Sequence, residues 1–245
     1  MDAIESPNIV GYIAHRIGLT DYISPDILTS MLIFGGMLGV GWIAVRRQSN
    51  RPNAIQNILE VLLDAINALG RQFVGPAATR YLSLFTTIFM FVLCANLIGL
   101  VPGFMSPTAN LNVNAGLAIT VMLITATVRL RQHGIVGFVK YYCGPPYWLA
   151  PLFIVIRVME EIIRPLSLTM RLFGNIMSKE IILSILVYML TLLFFADNLY
   201  SKILMLVPFL LRPLVILLGV VVSLVQALVF TGLSMVYVGE AVNGH

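Results

Sequence analysis

Arg171 stands in the stretch 163–175, IRPLSLTMRLFGN, which opens an apolar run continuing to Ala196. A guanidinium stays charged at any physiological pH, and placing it at mid-bilayer costs about 2.5–3.5 kcal/mol even on lenient insertion scales. A cation held at that cost must face protein or a water-filled cavity, so Arg171 marks an ion path. On a helix turning about 100° per residue, Arg157, Glu160, Arg164, Ser167, Asn175 and Ser178 all fall within about 40° of Arg171. One polar stripe therefore climbs a segment that is otherwise Leu, Ile, Met and Phe. Glu180 lies about 180° round from Arg171 and ~13.5 Å further along. An acid on the opposite face and at another depth predicts a separate aqueous pocket. Lys179 adjoins it, but sequence neighbours do not face one another on a helix, so no direct Lys179–Glu180 bridge is implied. In the last apolar run Gly219, Ser223 and Gln226 share one face at i, i+4, i+7. A membrane glutamine needs hydrogen-bond partners, and spacing alone leaves open whether they belong to another helix or to a site.

These residues must be carried by membrane helices. The chain has 245 residues, 59% of them hydrophobic and 11% charged, with a mean hydropathy of +0.94. Soluble domains carry about 25% charged residues. The composition predicts an all-α polytopic membrane protein forming one folding unit. The basic residues are scattered between apolar spans and form no dense cluster, so nothing supports a nucleic-acid surface. Cys94 and Cys143 are far apart and read as free thiols, while His15, His133 and His245 show no ligand spacing. No metal site or cofactor is predicted. The N-terminus, MDAIESPNIV, lacks the basic-then-apolar order of a cleaved signal peptide.

Helical spacing of Val10, Ile13, Ala14 and Ile17 fits a short amphipathic helix on the membrane surface, and a frayed tail fits this stretch equally well. Residues 27–45 carry no charge and are long enough for a first span. Gly35, Gly36, Gly39 and Gly41 would admit another helix closely. Arg46, Arg47 and Arg51 follow, so this end faces the cytoplasm and the N-terminus lies outside. Residues 52–73 alternate an apolar stripe (Ile55, Ile58, Leu59, Leu62, Leu63, Ile66, Leu69) with a polar one (Asn57, Glu60, Asp64, Asn67, Arg71), as expected of a cytoplasmic amphipathic helix with a solvated or partner-facing side. The charge-free stretch after it divides at Pro102, Gly103 and Pro107 into spans at 82–101 and 111–128. Arg129, Arg131, His133 and Lys140 return the chain to the cytoplasm. Residues 149–196 read as a charged interfacial segment plus a long helix from Pro165 onwards, strongly tilted because it exceeds a perpendicular crossing. Asp197 and Asn198 mark an outer turn, and 203–239 is a second over-long tilted helix. The sum is about five crossings with a cytoplasmic C-terminus. No internal or inverted repeat is evident.

At these residues the chain resembles subunit a of the F-type ATP synthase, over roughly 27–240. The match rests on RPLSLTMRLFGN (164–175), SLVQALVFTGLSMVYV (223–238) and the weaker LIGLVPG with PTANLNVN (97–114). The resemblance implies a stator subunit that passes protons or sodium ions to a rotating ring of c-type subunits. Its further implied partners are peripheral-stalk b-type subunits, the rest of the synthase and the lipid bilayer, in a bacterial plasma membrane in preference to a mitochondrial one. By the same resemblance Arg171 matches the essential stator arginine, Asn175 the asparagine one turn on, Glu180 a half-channel acid and Gln226 the glutamine of the final helix. Lys179, Ser167 and Ser178 fall in supporting positions, and Glu160, Glu161 and Arg164 at a cytoplasmic exit or in an interfacial salt-bridge cluster. Three positions depart from the pattern: Asn110 replaces an aspartate common in the family, Gly219 a histidine found in some members, and Lys179 a frequent glycine or histidine.

The alternative class is a stand-alone secondary transporter, which would show repeats or paired glycine-broken helices. An intramembrane protease would need HExxH or a comparable ligand set, and none is present. Arg171 and Gln226 alone offer no nucleophile or general base, so no catalysis of its own is expected, and ATP turnover falls to other subunits.

Overall fold

The computed structural model describes residues 25–46, 54–101, 104, 106–144, 147–196 and 198–244, and among them every regular element is a helix. In chain order these are α1 (Pro25–Arg46), α2 (Ala54–Val74), α3 (Leu82–Ile98), α4 (Leu111–Cys143), α5 (Ala150–Phe194), α6 (Leu199–Leu204) and α7 (Leu206–Asn243). The N-terminal surface helix, Arg47, Arg51, the Pro102–Gly103 break and Asp197 lie outside the described residues.

Four helical stretches are long and apolar enough to cross a membrane: Gln56–Ile98, Leu111–Cys143, Ala150–Phe194 and Leu199–Asn243. Ile27–Trp42 is apolar but shorter. The chain is therefore a multi-pass, all-helical protein with four to five membrane-competent helices.

α2 keeps its two faces apart. Ile66, Gly70 and Val74 are buried, whereas Asn57, Glu60, Asp64 and Arg71 are exposed. The buried face packs on α7 as well as on its own continuation into α3. A Cβ on Gly70 would sit 3.3 Å from Ala78 Cβ, a tight approach, and 3.9 Å from Met235 Cε, so the glycine lies in close packing on this face. A 3-10 turn, Gly75–Tyr81, links α2 to α3 and opens at Gly75 with φ +77°.

α4 begins at Asn110, whose side chain accepts from Asn112 N at 2.9 Å as an N-cap. It does not stop where the span was expected to end at 128 but runs to Cys143, kinked at Gly134 (φ +66°). Within it Arg129 is 3% exposed, buried against its neighbours. α5 is likewise one helix from Ala150, with Pro165 inside it. A short α6 and Met205 precede α7, which continues past 239 and ends at Gly244 in the left-handed region.

The core gathers where α2, α3, α4, α5 and α7 meet, around Phe85, Val92, Leu172, Phe230 and Met235. Outside it, one face of α7 carries Leu210, Leu214, Leu217 and Val221, each more than half exposed. Such a face has no place in water and fits hydrocarbon.

Candidate ion-transfer site

α5 and α7 run antiparallel, and three polar cross-links join them. Lys179 Nζ donates to Ser223 Oγ at 2.9 Å. Asn175 Nδ2 donates to Gln226 Oε1 at 2.8 Å. Arg164 Nη1 meets Glu240 Oε2 at 2.6 Å. The partner numbers fall on α7 as they rise on α5, the mark of one continuous seam. Arg171 lies between the second and third links, one turn from Asn175 and two from Arg164. It is exposed and forms no ion pair among the described residues.

The seam exists because α5 presents small or polar groups once per turn while its remaining faces are apolar. Leu168, Leu172 and Ile176, at four-residue intervals, are buried and hold α5 against the body of the protein. That leaves Ser167, Arg171 and Ser178 exposed on the outward side. The Ser178 hydroxyl donates back to Gly174 O at 2.8 Å, satisfying it within the helix. Gln226 is 4% exposed, and its Nε2 has no hydrogen-bond partner among the described residues. Its bond goes to Asn175, and none reaches Arg171.

Glu180 points the other way. Its Oε1 accepts from Ser106 N at 3.4 Å, and with Lys179 it lines a small cavity shared with Asn96, Gly99 and Ser106. Around this cavity runs a buried polar chain that the sequence reading missed. Ser106 Oγ donates to Ala95 O at 2.7 Å and lies 2.7 Å from Thr108 Oγ1. Thr108 Oγ1 donates to Asn96 Oδ1 at 2.9 Å, and Asn114 Nδ2 to Thr108 O at 2.7 Å. Gly99 makes the fold-back possible, since a Cβ there would stand 2.6 Å from Ser106 Cβ. The clustering of Ser, Thr and Asn in 106–114 between apolar spans was the available signal.

At the far end of α5, Glu160, Glu161 and Arg164 are drawn into ion pairs. Arg129 Nη1 reaches Glu161 Oε1 at 3.1 Å, and Tyr142 Oη donates to the other oxygen of Glu161. Glu160 Oε2 is 3.9 Å from both Arg157 Nη1 and Arg164 Nη2. The Arg129 and Arg157 guanidiniums lie over the Tyr141 ring at 3.8 and 4.3 Å. A second cavity, lined in part by Thr125, Arg129, Glu161, Arg164 and Tyr237, opens among α4, α5 and α7. Glu240 and Arg129 were also missed as site residues, although Glu240 falls within about 40° of Gln226 on one helix face.

The family model described as ATP synthase A chain matches residues 27–239. The chain belongs to that family. Among similar proteins, ATP synthase subunit a 2 of Syntrophotalea carbinolica is 41% identical over 86% of this chain and 83% of its own length. ATP synthase subunit a of Geobacter sulfurreducens is 39% identical over 86% and 85%. That of Citrifermentans bemidjiense is 34% identical over 97% and 96%.

Within the ATP synthase A chain family, two of the departures prove to be neighbours. A Cβ on Gly219 would stand 3.6 Å from Lys179 Cδ and 2.8 Å from Leu100 Cδ2. Lys179 thus lies across the space that a bulkier residue at 219 would need. The third departure, Asn110, serves as the N-cap of α4.

Proposed function

We propose that the chain is the ion-conducting stator subunit of a rotary F-type ATP synthase. Family membership makes it a membrane-sector subunit that takes part in ATP synthesis and ion transport without being catalytic on its own. The finer reading is that two half-channels, which do not meet, open to opposite sides of the membrane, with Arg171 between them. An ion entering one side neutralises a carboxylate on a ring of c-type subunits, rides the ring nearly a full turn, and leaves by the other path. The observation that carries this reading is an exposed, unpaired Arg171 bracketed by the Asn175–Gln226 and Arg164–Glu240 links. The brackets hold the helix while leaving the guanidinium open to a partner.

At ~4 Å and an effective dielectric near 20, a cation favours an ionised carboxylate by ~4 kcal/mol, roughly three pKa units. That suffices to strip a proton from a ring carboxyl group that lipid keeps neutral. The same charge repels a cation trying to pass straight through. Glu180, with Lys179 beside it, belongs to the outer half-channel in this reading. Asn175 and Gln226 steady the arginine helix, Ser167 and Ser178 flank the ring-facing surface, and Glu160, Glu161 and Arg164 stand at the cytoplasmic mouth.

The topology that goes with this reading has five crossings, an outer N-terminus and a cytoplasmic C-terminus, in a bacterial plasma membrane, with b-type stalk subunits as further partners. The test is ATP-driven ion pumping in vesicles bearing the whole complex. Arg171→Ala abolishes pumping. Arg171→Lys also fails, because an ammonium keeps the charge but not the planar fork of donors. Normal coupled pumping in Arg171→Ala overturns the assignment.

A further inference from the structure

Arg164 lies seven residues before Arg171, about 20° round the same helix and about 10.5 Å below it. The face that presents Arg171 therefore carries a second guanidinium, only half-buried. What distinguishes the two is their company. Arg164 is clamped to Glu240 of α7 at 2.6 Å, with the Tyr237 ring 5.0 Å from its guanidinium carbon. Among the described residues Glu160 is the only other acid within 4 Å of Arg164, and it is shared at 3.9 Å with Arg157. Arg157, Arg164, Glu160 and Glu240 sum to zero charge; without Glu240 they sum to +1.

We propose that Glu240 is a positioning residue whose task is to neutralise Arg164, leaving Arg171 as the one uncompensated cation met by the partner's carboxylate. The inference rests on the ring-facing role proposed for Arg171. An uncompensated charge about 10 Å away, at an effective dielectric near 20, changes a carboxylate's ionisation equilibrium by roughly tenfold. Partial exposure of Arg164 screens this, so the expected effect is about threefold to tenfold. A carboxylate at Arg171 would be held ionised more firmly and reloaded more slowly.

A mechanical clamp and a charge balance make opposite forecasts. Glu240→Gln and Arg164→Gln break the same ion pair, so a clamp predicts equal losses, undiminished in the double variant. Charge balance predicts asymmetry: Glu240→Gln frees a cation, whereas Arg164→Gln frees an anion that cannot attract the carboxylate. The experiment measures ATP-driven pumping per assembled complex in inverted membrane vesicles, with Arg171→Ala as reference. The expected result is a threefold to tenfold fall in Glu240→Gln, a smaller fall in Arg164→Gln, and recovery of the double variant, whose remaining Arg157 and Glu160 again sum to zero, to at least the Arg164→Gln level. Equal losses in all three, normal pumping in Glu240→Gln, or a fall in the amount of assembled complex in place of a fall in pumping per complex overturns the proposal. Normal pumping in Arg171→Ala sinks the ring-facing reading itself. A dead Arg171→Ala beside a normal Glu240→Gln sinks only the role of Glu240.

Discussion

Asn175 Nδ2 donates to Gln226 Oε1 at 2.8 Å, joining α5 to α7 one turn beyond Arg171. By the resemblance Asn175 matches the asparagine one turn on from the arginine, and Gln226 the glutamine of the final helix. The structure joins them to each other, so their influence on Arg171 runs through helix position. Gln226 is buried with its Nε2 already unpartnered, and removing Asn175 strands its carbonyl oxygen too. Interhelical hydrogen bonds in membranes are worth about 0.6 kcal/mol on average and up to ~1.7. Asn175→Leu and Gln226→Leu should each lower the heat resistance of the assembled complex. A double-mutant cycle should return a coupling energy in that range, and strict additivity would show that the bond contributes nothing.

The Arg129–Glu161 pair offers a larger effect. The Arg129 side chain is 4% exposed and that of Glu161 22%. Breaking a buried pair from one side leaves an uncompensated charge, at a cost of about 3–5 kcal/mol. Glu161→Ala is therefore expected to lower the amount of assembled subunit severely, as seen by immunoblotting of membranes. Arg129→Met with Glu161→Leu should recover much of it, because two apolar residues leave no orphan charge. A double variant no better than Glu161→Ala would refute this account.

At Gly239, α7 lies against the backbone of α2. A Cβ there would overlap the carbonyl oxygen of Phe73, a backbone atom that cannot turn aside. Gly239→Ala should force the two helices apart and destabilise the subunit by about 1–3 kcal/mol, the usual range for overpacking. Gly232, also on α7, has nothing within 4 Å and provides the control. Thermal inactivation at equal expression should separate the two variants.

What the sequence made legible follows from the range over which its signals act. Helical spacing placed Arg171, Ser167 and Ser178 on one outward face, because a face is defined within a single helix. It also put Glu180 on another. Spacing cannot say which faces meet, so the Arg164–Glu240 and Arg129–Glu161 pairs, separated by 76 and 32 residues, were out of its reach. Charge placed Arg129 only as a flank of a span and could not show that it is a buried ion-pair partner within α4. Gly219 and Lys179 looked like two unrelated departures until the fold brought them together.

That last pair supports a directional prediction. Lys179 is 9% exposed, its alkyl chain passes over Gly219, and its ammonium donates to Ser223, whose hydroxyl donates in turn to Gly219 O at 2.7 Å. Space at 219 is thus taken by the residue at 179, and one position can grow only if the other shrinks. Gly219→His alone must displace both Leu100 and Lys179, and should destabilise the subunit by about 1–3 kcal/mol. Adding Lys179→Gly vacates the volume and should restore assembly. The exchange also alters chemistry, since a fixed cation beside Glu180 is replaced by a histidine that titrates near neutrality. In the double variant, the pH dependence of ATP-driven pumping should therefore change even where assembly is normal. Recovery of assembly with an unaltered pH profile would leave the pair as packing alone. Failure of Lys179→Gly to relieve Gly219→His would show that Leu100, and not Lys179, sets the limit at this site.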